Sequence, residues 1–171
     1  MTDRPTTVSF LRDLIGFPTV SRDPNRDLID YCAGYLRSIG ASVDIITAEA
    51  GRKANLFATI GPQDIPGVML SGHTDVVPVD GQAWSKPPFE AVVEDGRVYG
   101  RGAADMKGFV ASALWCANQA AGRQLITPLH LAFSHDEEIG CVGVRSLIEM
   151  LKSAPFEPLF CIVAEPTLMQ V

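Results

Sequence analysis

The side chains best suited to chemistry follow three apolar runs of the sequence. His73 comes directly after GVMLSG, the acids Glu137 and Glu138 lie in HDEE after PLHLAFS, and Glu165 follows PLFCIVA. Imidazole nitrogens and carboxylate oxygens together ligate borderline divalent metals, of which zinc is typical and cobalt or manganese are tolerated. The pattern therefore indicates a metal site.

Another acid, Asp105, lies in the glycine-rich segment GRGAADMKG, where backbone and carboxylate can approach a ligand closely. Each residue taken alone also has an ordinary structural interpretation. A histidine at a strand end is commonly only hydrogen-bonded, a run of acids is commonly a solvated turn, and Asp105 could cap the helix that begins near Met106. Glu165 before Pro166 could be part of a turn.

The combination favours a metal site over these separate interpretations. If the three runs are neighbouring strands, one imidazole and at least four carboxylates meet at one place, and their repulsion requires cations or shifted protonation states. The acids exceed what one ion needs, which suggests two ions that share a bridging carboxylate.

Spacing suggests roles for two further positions. Asp75 lies two residues after His73, so it can accept the proton on the imidazole nitrogen that does not bind metal. Of the adjacent Glu137 and Glu138, one can ligate metal while the other acts as a general base.

The elements that must position these residues alternate between helical and strand patterns. A first helix is predicted in TTVSFLRDLIGF, with Val8 on its apolar face and its end before Pro18. Further helices are predicted in NRDLIDYCAGYLRSIG, DMKGFVASALWCANQAA and GVRSLIEMLKS, and strands in SVDIIT, NLFATIG, GVMLSG, PLHLAFS and PLFCIVAE. Asp95-Gly96 in AVVEDGRVYGRG suggests a hairpin turn. We therefore expect an α/β fold: a mostly parallel mixed sheet, antiparallel at one edge, with helices on both faces. Such sheets place ligand sites at the carboxyl ends of their strands.

Composition narrows the class of protein. The 171 residues carry a net charge of −6 with 47% hydrophobic residues, which gives no electrostatic support for a nucleic-acid or anionic-membrane partner. No targeting segment or membrane-spanning run is expected. The four widely spaced cysteines in apolar surroundings predict reduced, buried thiols in a cytoplasmic protein.

Four segments in order, SGHTDVVPVDG, GRGAADMKG, DEEIGCVGV and VAEPT, resemble the dinuclear zinc aminoacylase and carboxypeptidase family. Longer strings such as HTDVVPVDGQAW and LAFSHDEEIGCVGVRSLI resemble its acetylornithine deacetylase branch, and the resemblance runs from about Phe10 to Val171. It implies a cofactor of two divalent ions, Zn²⁺ with Co²⁺ as a substitute. It also implies hydrolysis of N2-acetyl-L-ornithine to L-ornithine and acetate, a step of arginine biosynthesis.

The resemblance also implies a role for each site residue. His73 and Glu165 would hold one ion, Asp105 would bridge both ions, and Glu138 would bind the second. Asp75 would orient His73, and Glu137 would be the general base that takes a proton from the attacking water and returns it to the leaving amine.

The chain departs from the family in length and in one ligand. Family members are about twice as long, carry a lid and dimerisation domain, and supply a further histidine to the second ion, whereas here no histidine follows His135. His130 is expected in the core, and His135 does not replace the missing ligand. Residues 1–171 are therefore predicted to be the N-terminal part of a catalytic domain, without the lid domain and the C-terminal part.

Three functions remain open from the sequence. The first is a weakly active or inactive piece of an acetylornithine deacetylase whose full-length form is a homodimer. The second is the same metal core in a succinyl-diaminopimelate desuccinylase or an aminoacyl carboxypeptidase. The third is a non-catalytic metal-binding fragment.

Overall fold

Four helices and seven strands make up the part of the chain that the computed structural model describes, residues 5–167. The helices are α1 (Thr7–Ile15), α2 (Arg26–Ser38), α3 (Gly108–Ala120) and α4 (Val144–Leu151). The strands are β1 (Ser42–Ala48), β2 (Lys53–Ile60), β3 (Val68–His73), β4 (Val92–Glu94), β5 (Arg97–Tyr99), β6 (Leu129–Ser134) and β7 (Phe160–Val163).

Five of the strands form one mixed sheet in the order β1-β2-β6-β3-β7. The β1–β2 and β2–β6 pairs are antiparallel, and the β6–β3 and β3–β7 pairs are parallel. The predicted mixed α/β sheet is therefore confirmed, with its antiparallel part at one edge. The parallel part consists of the three strands that lead to His73, the HDEE run and Glu165, so their carboxyl ends lie side by side.

The core divides between the two faces of the sheet, as expected when side chains alternate along strands. One face carries Leu56, Leu131 and Phe133 against helices α1 to α3. The other carries Phe57, Met69 and Ala132 against Leu147 of α4. Helices thus cover both faces, although the edge strand β7 has all four of its residues exposed.

Local signals in the sequence account for several element ends. Thr6 and Ser9 form a reciprocal capping box at the start of α1. Gly40, which follows α2, has a left-handed φ of +88°, as a helix end commonly requires. Asp95 and Gly96 both have positive φ and join β4 to β5, which confirms the predicted hairpin turn. Val8 was expected on the buried face of α1 but is 46% exposed.

Helix α3 begins later than predicted. Residues Ala103–Lys107 form a π-type turn, and the α-helix starts only at Gly108. Lys107 is fully buried and donates hydrogen bonds to the main-chain oxygens of Leu14 (3.0 Å) and Phe17 (2.6 Å), which tie this turn to the end of α1. Burial lowers the pKa of Lys107 to about 7. Asp105 has non-helical φ and ψ within the turn and caps neither element, so the capping interpretation was wrong.

The cysteines are less buried than the sequence suggested. All four thiols are unpaired, with Cys32 buried and Cys116 half-buried. Cys141 and Cys161 are exposed, which corrects the prediction of burial for those two, because one lies in a surface turn and the other on the edge strand β7. Among the helices of residues 5–167, none has the length and apolar character needed to cross a membrane.

Candidate metal centre

The imidazole of His73 lies at the centre of a group of carboxylates. His73 is the last residue of β3 and is 2% exposed. Its Nε2 atom lies 3.0 Å from Asp105 Oδ1, 3.7 Å from Glu165 Oε1 and 3.8 Å from Glu137 Oε2. The turn before α3 and the ends of β6 and β7 therefore deliver acids to the end of β3.

These side chains form two overlapping groups with spacing suited to a cation. His73, Asp105 and Glu165 form one group, and His73, Glu137 and Glu138 form the other, with the ligand atoms of each group within 4.8 Å of one another. The structure thus brings together the five residues that the sequence singled out. Glu138 lies in a group with His73 and Glu137, and Asp105 lies in a group with His73 and Glu165. The role of Asp105 as a bridge between two ions, and that of Glu138 as a ligand of the second ion, stay predictions.

Asp75 is placed differently from the expectation. The Nδ1 atom of His73 lies 2.9 Å from the main-chain oxygen of Asp75, whereas the nearest carboxylate oxygen is 3.5 Å away. The main-chain oxygen is therefore the closer acceptor. The carboxylate instead accepts hydrogen bonds from the main-chain N–H groups of Glu137 (3.0 Å) and Glu138 (3.3 Å).

The protonation of the imidazole reflects the surrounding negative charge. Burial alone lowers the pKa of His73. The neighbouring carboxylate of Asp75, the charge of Glu165 and the Asp105 carboxylate, which accepts a hydrogen bond from the imidazole, outweigh this effect and raise the pKa to about 9. Burial raises the pKa of Asp75, yet the nearby His73 imidazole and hydrogen bonds from Ser21 and the Glu137 N–H lower it overall.

The outer carboxylates have pKa values above their ordinary range. Burial raises the pKa of Glu138, and the charge of Asp105 adds to this, while His73 opposes it. Burial likewise raises the pKa of Glu165, with His73 opposing and the charges of Asp105 and Glu137 adding. One imidazole among several acids leaves an excess of negative charge, which a divalent cation would neutralise. The donor set therefore fits such an ion.

The other two histidines lie outside these groups. His130 is fully buried, stacks with both Phe57 and Phe156, and lies 2.9 Å from Thr59 Oγ1, so it has the expected core position. His135 is also buried, with Nδ1 3.0 Å from Asp136 Oδ2. Within residues 5–167, His73 is the only histidine in the metal-capable groups.

Two supporting residues were missed by sequence reasoning. The Ser21 hydroxyl donates to Asp75 Oδ2 at 2.6 Å. Lys53 is buried at the start of β2, and its Nζ donates to both carboxylate oxygens of Asp136 at 2.8 and 2.9 Å. The one available signal for Lys53 was a charged residue at the start of the apolar run KANLFATI, the strand β2, in which every residue is buried.

A cavity of about 200 Å³ opens beside the carboxylates. Its wall combines polar and apolar groups, including Gly72, His73, Glu137, Cys141, Val163 and Glu165. The Cys141 thiol donates to Glu137 Oε1 at 3.3 Å. A small polar molecule in this cavity would therefore lie against Glu137 and the metal-capable groups.

Curated acetylornithine deacetylases are among the proteins whose sequences are similar to this chain. The chain is 38% identical over 170 residues to an acetylornithine deacetylase of Pasteurella multocida and 35% identical over 173 residues to one of Proteus mirabilis. These alignments include 95% and 97% of this chain, but 44% of each relative. The chain thus spans less than half the length of the curated relatives it matches.

Several solved structures have the same fold as this chain. Human carnosine dipeptidase 1 superposes with a TM-score of 0.76 at 25% identity, covering 93% of this chain and 38% of that protein. An M20 family metallo-carboxypeptidase from Sulfolobus solfataricus has the same fold, with a TM-score of 0.79 at 22% identity, covering 94% and 37% of the two chains. Residues 69–171 match the sequence profile of peptidase family M20/M25/M40. Because this match includes the His73, Asp105, Glu137–Glu138 and Glu165 segments on the fold seen in that family, the chain belongs to peptidase family M20/M25/M40.

Proposed function

We propose that the protein is a metal-dependent amidohydrolase that acts on N-acyl amino acids, with N2-acetyl-L-ornithine as substrate and L-ornithine and acetate as products. The observation that carries the proposal is the approach of three carboxylates to within 3.8 Å of a single buried imidazole nitrogen. The acetylornithine deacetylases among the relatives support the choice of substrate.

Two divalent ions, Zn²⁺ by preference and Co²⁺ as a substitute, are the proposed cofactor. His73, Asp105 and Glu165 would hold the first ion, and they already form one group with suitable spacing. Asp105, as the bridging carboxylate, and Glu138 would hold the second. When bound, these ions supply Lewis-acid polarisation of the amide carbonyl and offset the charge of the carboxylates.

Glu137 is the proposed general base. Its side chain is 37% exposed, so solvent can reach it, and its backbone is held to Asp75. It takes a proton from the water that attacks the amide carbonyl and returns that proton to the leaving nitrogen. Asp75 orients His73 through its main-chain oxygen and orients the Glu137–Glu138 backbone through its carboxylate.

The whole protein is proposed to be a cytoplasmic homodimer in which residues 1–171 form the N-terminal part of the catalytic domain. A lid and dimerisation domain and the rest of the catalytic domain would complete it. The greater length of the curated relatives supports this organisation.

Metal titration of the purified chain, followed by substrate assays, tests the proposal. We expect one Zn²⁺ or Co²⁺ to bind tightly and a second to bind more weakly, because His73 is the one imidazole in the described groups. Hydrolysis of N2-acetyl-L-ornithine by this chain alone is expected to be weak. Absence of divalent-ion binding would overturn the proposal.

A substrate panel distinguishes the related activities. Preference for N-succinyl-diaminopimelate, or for peptides with a free carboxyl terminus, would replace acetylornithine with a sibling substrate on the same metal core. Tight metal binding without turnover of any of the three, even in a full-length form, would leave only a metal-binding role.

A further inference from the structure

The carboxylate of Asp75 is held by three donors from two distant segments. The Ser21 hydroxyl lies 2.6 Å from Oδ2, the Glu137 N–H lies 3.0 Å from Oδ1, and the Glu138 N–H lies 3.3 Å from Oδ2. Asp75 and Ser21 are 2% and 4% exposed. Because the carboxylate is buried from water, these donors and the nearby His73 must compensate for the loss of its hydration.

A second buried carboxylate lies on the other side of Ser21. Lys53 Nζ donates to both oxygens of Asp136 and also to the main-chain oxygen of Ser21 at 2.7 Å. Glu49 lies 3.3 Å from the same nitrogen. Lys53 and Asp136 are each 4% exposed, so the ammonium group joins the backbone of one segment to the side chain of another away from solvent.

Ser21 therefore contacts both the Asp75 carboxylate and the Lys53–Asp136 ion pair. Its hydroxyl reaches Asp75 and its carbonyl accepts from Lys53. Asp136, the partner of Lys53, directly precedes Glu137, whose N–H returns to Asp75. These contacts form a closed ring of hydrogen bonds, and the start of the Glu137–Glu138 turn is part of that ring.

The backbone fixes the position of Ser21 in this ring. Val20 pairs with Val76 in an isolated parallel bridge. The Ser21 N–H donates to the Val76 oxygen at 3.2 Å, and the Val76 N–H donates to the Thr19 oxygen at 3.0 Å. The segment before α2 is thus held beside the segment after β3, and the Ser21 hydroxyl points at Asp75.

We propose that Ser21 is a positioning residue that acts through Asp75 to hold the Glu137–Glu138 turn in place for metal binding and proton transfer. The inference rests on the proposed function for its chemical consequence. Without the hydroxyl, Asp75 Oδ2 loses its shortest donor, so the carboxylate can turn towards His73 Nδ1, 3.5 Å from its other oxygen, and release the two main-chain N–H groups.

Three variants test the proposal. Ser21→Ala removes the hydroxyl with little change in volume, and Ser21→Thr retains a hydroxyl for rescue. Thr19→Val is the matched control, because Thr19 is equally buried and its hydroxyl donates at 2.6 Å to the main-chain oxygen of Thr74, not to Asp75. Thermal unfolding of each variant verifies that it is folded.

The first measurement is amide hydrogen exchange without metal. Exchange at the Glu137 and Glu138 N–H groups is expected to accelerate about tenfold in Ser21→Ala. The variant loses the hydrogen bond from the Ser21 hydroxyl to the Asp75 carboxylate, which is the acceptor of both N–H groups. Ser21→Thr is expected to restore protection, and Thr19→Val is expected to leave it unchanged. Unchanged exchange in Ser21→Ala, or equal acceleration in Thr19→Val, would overturn the proposal.

The second measurement is Co²⁺ titration followed by the visible absorption of the bound ion. Loss of a residue that supports a ligand typically weakens metal affinity about 10- to 100-fold, which is the effect expected for Ser21→Ala but not for Thr19→Val. If the unmodified chain binds no Co²⁺ while the exchange result holds, the positioning role stands and the proposed function falls. If Co²⁺ binds normally in Ser21→Ala and exchange is unchanged, the proposed function stands and the positioning role falls.

Discussion

Asp75 and Glu137, 62 residues apart in the chain, are joined by a hydrogen bond from the Glu137 main-chain N–H to Asp75 Oδ1 at 3.0 Å. The bond crosses between the segments that follow β3 and β6, two parallel neighbours in the sheet. It fixes the backbone of the proposed general base close to His73, whose Nδ1 contacts the main-chain oxygen of the same Asp75. One aspartate therefore sets the relative position of the imidazole and the base.

Replacing Glu137 by glutamine separates proton transfer from metal binding. In a full-length form with measurable deacetylase activity, Glu137→Gln is expected to lower kcat by about 10²- to 10⁴-fold, because the amide cannot accept the proton of the attacking water. The metal content, measured by elemental analysis after dialysis, is expected to stay the same.

Glu138→Gln is the matched control for this substitution. It is expected to weaken binding of the second ion, since it removes the charge of a proposed ligand. Loss of metal in Glu137→Gln with retention in Glu138→Gln would show that the two roles are reversed.

The buried Lys53–Asp136 pair predicts a large effect on stability. Lys53→Met is expected to lower the free energy of unfolding by about 3–5 kcal/mol, because Asp136 is left buried without its counter-ion. The double variant Lys53→Met/Asp136→Asn is expected to be less destabilised than Lys53→Met, since it removes both charges. Urea unfolding of the three proteins measures this, and a double variant that is the least stable would contradict it.

A side chain at Gly102 is predicted to disturb the turn that carries Asp105. It has a φ of +78°, and a Cβ atom there would lie 2.6 Å from Val76 Cγ1. Gly122 has a similar φ of +72° but open space around it. Gly122→Ala is therefore expected to cost about 1–2 kcal/mol from backbone strain alone. Gly102→Ala is expected to cost about 1–3 kcal/mol more from crowding.

The same pair of glycine variants separates a general loss of stability from a local effect on the site. Gly102→Ala is expected to weaken Co²⁺ binding, because the crowding falls three residues before Asp105, whereas Gly122→Ala is expected to bind Co²⁺ normally. Equal Co²⁺ affinities in the two variants would show that the Asp105 turn tolerates the added methyl group.

The exposure of the thiols predicts their order of alkylation. Cys141 and Cys161 are exposed, whereas Cys32 is buried and burial raises its pKa to about 12. Iodoacetamide at mildly alkaline pH is therefore expected to modify Cys141 and Cys161 in the folded protein and Cys32 only after unfolding in urea. Peptide mass spectrometry over time measures the order, and early modification of Cys32 would contradict the packing of α2.

The sequence predicted the strands and the acids at their ends because both carry strong local signals. Apolar runs such as PLHLAFS identify buried strands, and polar residues that end them stand out by contrast. The positions of His73 and Glu165 beside one another then follow from parallel pairing, which the spacing of the strands along the chain already favoured.

The supporting residues could not be predicted in this way. Ser21 contacts Asp75 54 residues away, and Lys53 contacts Asp136 83 residues away. Neither lies in a periodic pattern, and a serine before an arginine or a lysine before an apolar run is common on protein surfaces. Their burial depends on tertiary packing. The later start of α3 was missed for a related reason, since contacts of Lys107 with the end of α1 fix the turn before it.

The order of folding follows from the ring of hydrogen bonds that joins Ser21, Asp75, Lys53 and Asp136. Every hydrogen bond in this ring joins segments separated by tens of residues. The chain must therefore lose the entropy of closing long loops before these hydrogen bonds can form. Contacts of such high sequence separation slow folding and form together with the sheet. The capacity to capture a cation should therefore arise late and cooperatively, so that metal uptake during refolding reports completion of the β3–β6 pairing.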